Sequence, residues 1–136
     1  MRRFHWTLVF ISIFWAQFTS ANRITICGTC EVKTIKEAIA QAADFDTLLI
    51  KKGTYKEYNI VVDKPLTIIG ENYPVIDGEK KGEIIRIVSD NVTLDGLFVI
   101  NVGVSYTSDH AAIRVVRSEN FVIQNVRTER FIIIRL

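Results

Sequence analysis

Two segments of this chain are near copies of each other. Residues 85–97 read IRIVSDNVTLDGL and residues 113–126 read IRVVRSENFVIQNV, a shift of 28 residues that becomes 29 after Arg117. A shorter, earlier copy at 65–70 matches residues 91–96 at a shift of 26. Periods of this size are typical of solenoids, in which each unit buries its apolar side only against its neighbours. The repeats therefore predict a stack of coils, with the loop 103–110 accommodating the changing period.

The copies also predict which side chains lie inside the coil. Side chains alternate between the two faces of a strand, so apolar residues at alternate positions form columns along the stack. The predicted columns pair Leu94 with Ile123 and Ile87 with Val115. Asn91 and Asn120 fall at the bend before a strand, where asparagine tolerates a left-handed backbone. The alternative, an antiparallel β-sandwich, would not produce near copies at one period and needs hairpin turns that are scarce here.

One short helix is predicted, over residues 34–43, and it leads directly into a strand and a glycine turn. Thr34 is a capping residue, and Glu37 is expected to reach back to the Thr34 amide. The apolar residues at helical spacing are Ile35, Ala38, Ile39 and Ala42. A lone helix before a run of short strands resembles the N-terminal cap of a right-handed parallel β-helix, the pectin-lyase-like fold. In that superfamily a glycine precedes the aspartate after the helix, whereas this chain has Phe45.

The expected fold is therefore all-β, a right-handed parallel β-helix with a short N-terminal capping helix. We divide the chain into a signal peptide (1–21), an N-terminal segment with a C-x-x-C motif (22–33), and the cap helix with the first coils (34–136). The tail 131–136 is apolar at five of six positions, and as a β-prone segment without proline it is an aggregation hazard. It is expected to be a truncated or frame-shifted C-terminal end.

The first 21 residues have the features of a secretory leader. Arg2 and Arg3 precede an apolar run over 4–18, and small residues at 19–21 allow cleavage after Ala21. The alternative is a membrane anchor, but about 15 apolar residues are short for a span that needs about 20. We therefore predict export, with no stable membrane anchor after cleavage. Without the leader, 15 basic residues balance 15 acidic ones, which argues against a nucleic-acid partner.

Several segments resemble the start of the NosD family. They are residues 48–57, 63–71, 74–78, 91–97 and 111–116, and the resemblance extends over roughly residues 25–130. Members are exported, periplasmic β-helix proteins that support maturation of the copper enzyme nitrous oxide reductase, together with an ABC transporter, NosF and NosY. The resemblance implies a periplasmic accessory protein, copper as a candidate cofactor, and the reductase and transporter as partners.

Few residues are candidates for chemistry. Cys27 and Cys30 form the one C-x-x-C motif, which in an exported protein is typical of a structural disulfide. The resemblance to a copper family adds a second hypothesis, a metal site in which two thiolates bind Cu(I). His110 is the one histidine after the leader and lies in a loop, where it is expected to be solvated.

The alternative functions are those of other β-helix proteins: a polysaccharide lyase or hydrolase, or a carbohydrate-binding solenoid. Arg86 and Arg114 are expected to stack on an outer face. Hydrolysis needs two carboxylates on either side of one bond. The repeat alignment places Asp95 beside Gln124 and not beside a second acid, so the pattern favours a non-catalytic protein.

Overall fold

The computed structural model describes residues 20–136. The predicted leader therefore lies almost entirely outside the described residues, and its cleavage stays a prediction. Within residues 20–136, no helix is long and apolar enough to cross a membrane.

The described chain contains one helix, α1 (Ile35–Gln41), and thirteen short strands. The strands are β1 (Arg23–Ile26), β2 (Thr47–Ile50), β3 (Thr54–Lys56), β4 (Ile60–Val62), β5 (Thr67–Gly70), β6 (Val75–Asp77), β7 (Ile85–Ile87), β8 (Thr93–Asp95), β9 (Phe98–Ile100), β10 (Ile113–Val116), β11 (Val122–Gln124), β12 (Arg127–Thr128) and β13 (Ile132–Arg135).

These strands stack into three sheets that run along the molecule. Sheet 1 has the order β1-β2-β5-β8-β11, sheet 2 the order β12-β9-β6-β3, and sheet 3 the order β13-β10-β7-β4. Each coil contributes one strand to each sheet in turn, and sheets 2 and 3 contain four strands each. Every strand pair is parallel. The protein is thus a parallel β-solenoid of about four turns with one short helix, which confirms the predicted architecture.

The register of the coils agrees with the repeat alignment. Leu94 lies opposite Ile123, and Ile87 lies opposite Val115, as predicted. Inward-facing side chains form continuous apolar columns, and most are almost completely buried. The columns are Leu48–Ile68–Leu94 in sheet 1, Tyr55–Ile76–Val99 in sheet 2, and Ile60–Ile85–Ile113 with Val62–Ile87–Val115 in sheet 3. Burying each such side chain contributes about 1.5–3 kcal/mol.

Left-handed backbone angles at the corners explain the recurring asparagines. Asn91 has φ 56° and Asn120 has φ 52°, as predicted for the bend before sheet 1. Asn125 has φ 51° at the corner that Gly96 occupies one coil earlier, with φ 73°. Gly70 is required for a different reason, because a Cβ there would collide with the carbonyl oxygen of Gly96. Asparagine and glycine are the residues that adopt a left-handed backbone at least cost.

Helix α1 covers the N-terminal end of the core. Its predicted apolar stripe is buried, with Ile35, Ala38, Ile39 and Ala42 all at most 5% exposed. Thr34 Oγ1 accepts a hydrogen bond from the Glu37 amide at 3.1 Å, as predicted. The reciprocal bond differs by one residue, because Glu37 Oε2 accepts from the Lys33 amide at 3.3 Å and not from Thr34.

Side chains from the first coil fix both ends of the helix. At the N-terminal end, Glu57 Oε1 accepts from the Ile35 amide at 2.7 Å and Glu57 Oε2 accepts from the Lys36 amide at 3.1 Å. At the other end, Lys64 Nζ donates to the carbonyl oxygens of Ile39 and Ala42, each at 2.8 Å. A negative charge near the N-terminus and a positive charge near the C-terminus both complement the helix dipole. These contacts bind the helix to the coil stack.

Phe45 has φ 68° and its side chain is 63% exposed. This is the position where the pectin-lyase-like pattern has glycine. The left-handed angle explains that preference, since glycine has no Cβ to oppose it. The turn keeps this geometry here with phenylalanine, and the Phe45 amide donates to the Pro65 carbonyl at 2.6 Å.

The C-terminal tail forms a strand of the stack. β13 pairs in parallel with β10, so that Ile132 lies opposite Ile113. The tail therefore supplies the fourth strand of sheet 3. Its apolar side chains are only partly covered: Phe131 is 63% exposed and Ile134 is 49% exposed.

Candidate functional site

The two cysteines form a disulfide in the structure. They lie in a tight turn after β1, where the Cys30 amide donates to the Cys27 carbonyl at 3.2 Å and the Cys27 amide donates to the Val32 carbonyl at 3.3 Å. The predicted metal site would need the reduced thiols, because the thiolate is the metal ligand. Within residues 20–136, no three or more His, Cys, Asp or Glu side chains are grouped so that they could hold a metal ion.

A polar depression of about 430 Å³ lies beside this turn. Lys33, Lys52 and Lys56 line it together with Glu57. Both Glu57 oxygens already accept helix amides, so this carboxylate is engaged in holding α1. Its role is structural.

The outward-facing acids of the sheets are held by amide groups. Asp95 lies opposite Gln124, as predicted. Its carboxylate accepts from the side chains of Asn125 and Gln124, each at 2.9 Å, and these bonds lower its pKa, the Asn125 bond most strongly. Hydrogen bonds to the charged form favour ionisation. Asp95 is therefore suited to accepting hydrogen bonds and poorly suited to donating a proton to a leaving group.

Asp77 on sheet 2 has the same arrangement. Its Oδ1 accepts from the Glu79 amide at 2.8 Å and from Asn101 Nδ2 at 2.9 Å. These two bonds, the amide first, lower the pKa of Asp77. Glycoside hydrolysis by general acid catalysis needs a carboxyl group that stays protonated near neutral pH. The pKa values of Asp77 and Asp95 are shifted in the opposite direction, downward.

Sheet 3 carries a cluster of arginines on its outer face. Arg86 and Arg114 lie opposite each other in β7 and β10, as predicted. Beneath them lies Glu83, which is 5% exposed. Glu83 Oε2 accepts from Arg86 Nε at 2.8 Å, and Glu83 Oε1 accepts from Arg114 Nε. One buried carboxylate thus orients two guanidinium groups.

Glu83 is a residue that sequence reasoning missed. The repeat alignment identified the two arginines but gave no reason to assign a buried partner to them. The available signal was the spacing of Glu83, three residues before Arg86. That spacing alone does not predict burial, and the contact with Arg114 joins residues 31 positions apart.

The same face contains a depression of about 510 Å³. Its lining comprises Arg86, Arg114 and Arg135 with Val116 from sheet 3, and Thr107, Ser108 and Asp109 from the loop before β10. We refer to it as the arginine depression. His110 adjoins it: His110 Nε2 lies 3.2 Å from Ser108 Oγ, and its buried Nδ1 has no hydrogen-bond partner among the described residues. The histidine thus lacks the orienting carboxylate of a nucleophile–base–acid triad.

The fold and these surfaces define the class of protein. It is a parallel β-solenoid whose N-terminal end is covered by a helix, consistent with a pectin-lyase-like β-helix. No protein-family model, curated protein or solved structure matches this chain.

Proposed function

We propose that this chain acts in the periplasm as an accessory protein of the NosD type. It would support copper-site maturation of nitrous oxide reductase together with an ABC transporter of the NosF and NosY type. The proposal rests on the resemblance of its sequence segments to the start of that family and on the solenoid that those segments form.

The location of the resembling segments is the observation that carries the proposal. Residues 48–57 span β2 and β3, residues 63–71 contain β5, and residues 91–97 contain β8. They occupy successive coils and pair directly, since β2 pairs with β5 and β5 pairs with β8. Strands that stack in one sheet occupy equivalent positions in successive coils, so they are expected to share a pattern of residues. The segments are therefore consistent with one solenoid of the type that the resemblance implies.

A non-catalytic role agrees with the chemistry of the outer faces. Hydrogen bonds from amide groups lower the pKa of both Asp77 and Asp95. These two carboxylates present fixed hydrogen-bond acceptors to a partner protein and are poorly suited to act as general acids.

The test is complementation in a denitrifying host that lacks its own NosD. The full chain is expressed with its leader, and the reductase is then purified for measurement of its copper content and N₂O turnover. We expect both to rise above those of the empty-vector strain. We also expect the chain to lose about 2 kDa on export. A matched control is the chain without residues 1–21, which should stay in the cytoplasm and restore neither quantity.

Copper binding by the chain itself is tested separately. We expect any Cu(I) affinity of the reduced protein to require Cys27 and Cys30 together, because the sequence after the predicted leader has no other thiol or thioether. The reduced wild type, Cys27→Ser/Cys30→Ser and the control His110→Ala are titrated against a Cu(I) chelator. Equal affinity of the wild type and the double serine variant would eliminate the C-x-x-C motif as the site. Unchanged reductase copper in the complemented strain would refute the accessory role independently.

A further inference from the structure

The arginine depression has the composition of a site for a negatively charged group. Arg86 and Arg114 are on adjacent strands of a parallel sheet, about 4.8 Å apart in backbone position. Arg135 belongs to the next strand, where it lies opposite Val116. Three guanidinium groups thus border one depression, and like charges so close together repel unless an anion compensates them.

The carboxylates present compensate only part of this charge. Glu83 forms ion pairs with both Arg86 and Arg114, so one negative charge is shared by two positive ones. Among residues 20–136, Arg135 forms no ion pair with a carboxylate. Asp109 is the other acid that lines the depression, and its backbone carbonyl accepts from Arg114 Nη2. The lining therefore retains an excess of positive charge.

Glu83 also controls which atoms remain available. It accepts the Nε–H of each arginine, so the Nη groups that are not bonded remain as donors at the depression. The Glu83 side chain is 6% exposed and that of Arg114 is 13% exposed, which limits their movement. A guanidinium fixed in this way is preorganised to bind two oxygens of one oxyanion in parallel.

The loop wall adds neutral polar groups. Thr107 and Ser108 line the depression, where the Ser108 hydroxyl donates to Ser105 Oγ at 3.1 Å and Ser108 Oγ lies 3.2 Å from His110 Nε2. The Thr107 hydroxyl, beside oriented arginines, complements carboxylate, sulfate and phosphate oxygens. We infer that the arginine depression binds an oxyanion, as a free anion or as the acidic group of a uronate-containing glycan.

The test is an NMR titration of ¹⁵N-labelled protein at constant ionic strength, in separate arms with sulfate, with glucuronate and with a uronate hexamer. In the wild type we expect saturable shifts confined to residues 83–87, 105–116 and 133–135. Arg86→Gln and Arg135→Gln should each weaken binding about threefold to fivefold, as expected for partly exposed charges. Arg130→Gln is the matched control, since this arginine lines a different depression, and it should leave binding unchanged.

The outcomes separate the ligand sources. Tighter binding of the hexamer than of glucuronate, lost in the double variant Arg86→Gln/Arg135→Gln, assigns the site to a glycan. Equal binding of both, also lost in the double variant, assigns it to a free oxyanion. Non-saturating shifts in every arm, or equal affinity of the wild type and the double variant, would overturn the inference. Unfolding midpoints measured without added anion establish that each variant is folded.

Discussion

The buried carboxylate of Glu57 provides the sharpest test of how the helix is held on the solenoid. Glu57 is 8% exposed and accepts two backbone amides of α1, those of Ile35 and Lys36. We expect Glu57→Ala and Glu57→Gln to destabilise the protein to different degrees. Alanine removes both acceptors and the negative charge, whereas glutamine keeps one carbonyl acceptor in nearly the same volume.

The magnitude follows from the two bonds. The Ile35 amide is buried, and a buried donor without a partner costs about 1–3 kcal/mol. A carboxylate near a helix N-terminus contributes a further 0.3–1 kcal/mol or so, and about 2 kcal/mol at most when partly buried. We therefore expect a loss of about 2–4 kcal/mol for Glu57→Ala and about 1–2 kcal/mol for Glu57→Gln.

The assay is urea unfolding followed by far-UV circular dichroism, together with hydrogen exchange of the α1 amides. The matched control is Glu71→Gln, since Glu71 forms only a half-exposed ion pair with Lys51 at 2.8 Å. This control should change the unfolding free energy by less than about 1 kcal/mol. The reasoning is refuted if Glu57→Gln and Glu71→Gln have equal effects, or if α1 exchange stays at the wild-type rate in Glu57→Ala.

Three further predictions concern the turn, the acids and the last strand. Phe45→Gly should raise the unfolding free energy by about 0.5–1 kcal/mol, because glycine adopts the left-handed φ of 68° without strain and the side chain that is lost is mostly exposed. Phe45→Ala should bring no such gain, and a lower unfolding free energy of Phe45→Gly would contradict the prediction. Hydrogen bonds from the Glu79 amide and from the Asn101 side chain lower the pKa of Asp77 in the folded protein. Ionised Asp77 therefore stabilises the fold above its unfolded pKa, and this stabilisation is lost as the pH falls through the folded pKa, so Asp77→Asn should flatten the loss of unfolding free energy below about pH 4. An unchanged dependence of the unfolding free energy on pH would argue against this role. We expect the protein to self-associate through the edge strand β13, and Ile132→Lys/Ile134→Lys should reduce this association in sedimentation velocity, because charges on an edge strand oppose strand addition. An unchanged distribution of species would exclude this edge as the contact.

The sequence by itself determined the coil architecture and its register. Near copies at shifts of 28 and 29 residues placed Leu94 opposite Ile123 and Arg86 opposite Arg114, and the structure confirms both pairs. The amphipathic stripe predicted the helix and its buried face. The asparagines predicted corners with a left-handed backbone. Apart from the single helix, these are short-range patterns repeated from coil to coil, so stacking one coil on the next reproduces the same neighbours each time.

The tertiary structure alone decided which polar side chains hold the helix and orient the arginines. Glu57 reaches an amide 22 residues away, Lys64 a carbonyl 25 residues away, and Glu83 an arginine 31 residues away. None of these contacts repeats from coil to coil, and each depends on the lengths of the intervening turns. The tail 131–136 shows the same limit, since its apolar β-prone sequence did not specify that it pairs with β10 in sheet 3. A periodic pattern specifies the repeated apolar contacts, whereas single polar contacts depend on where the whole chain places two distant groups.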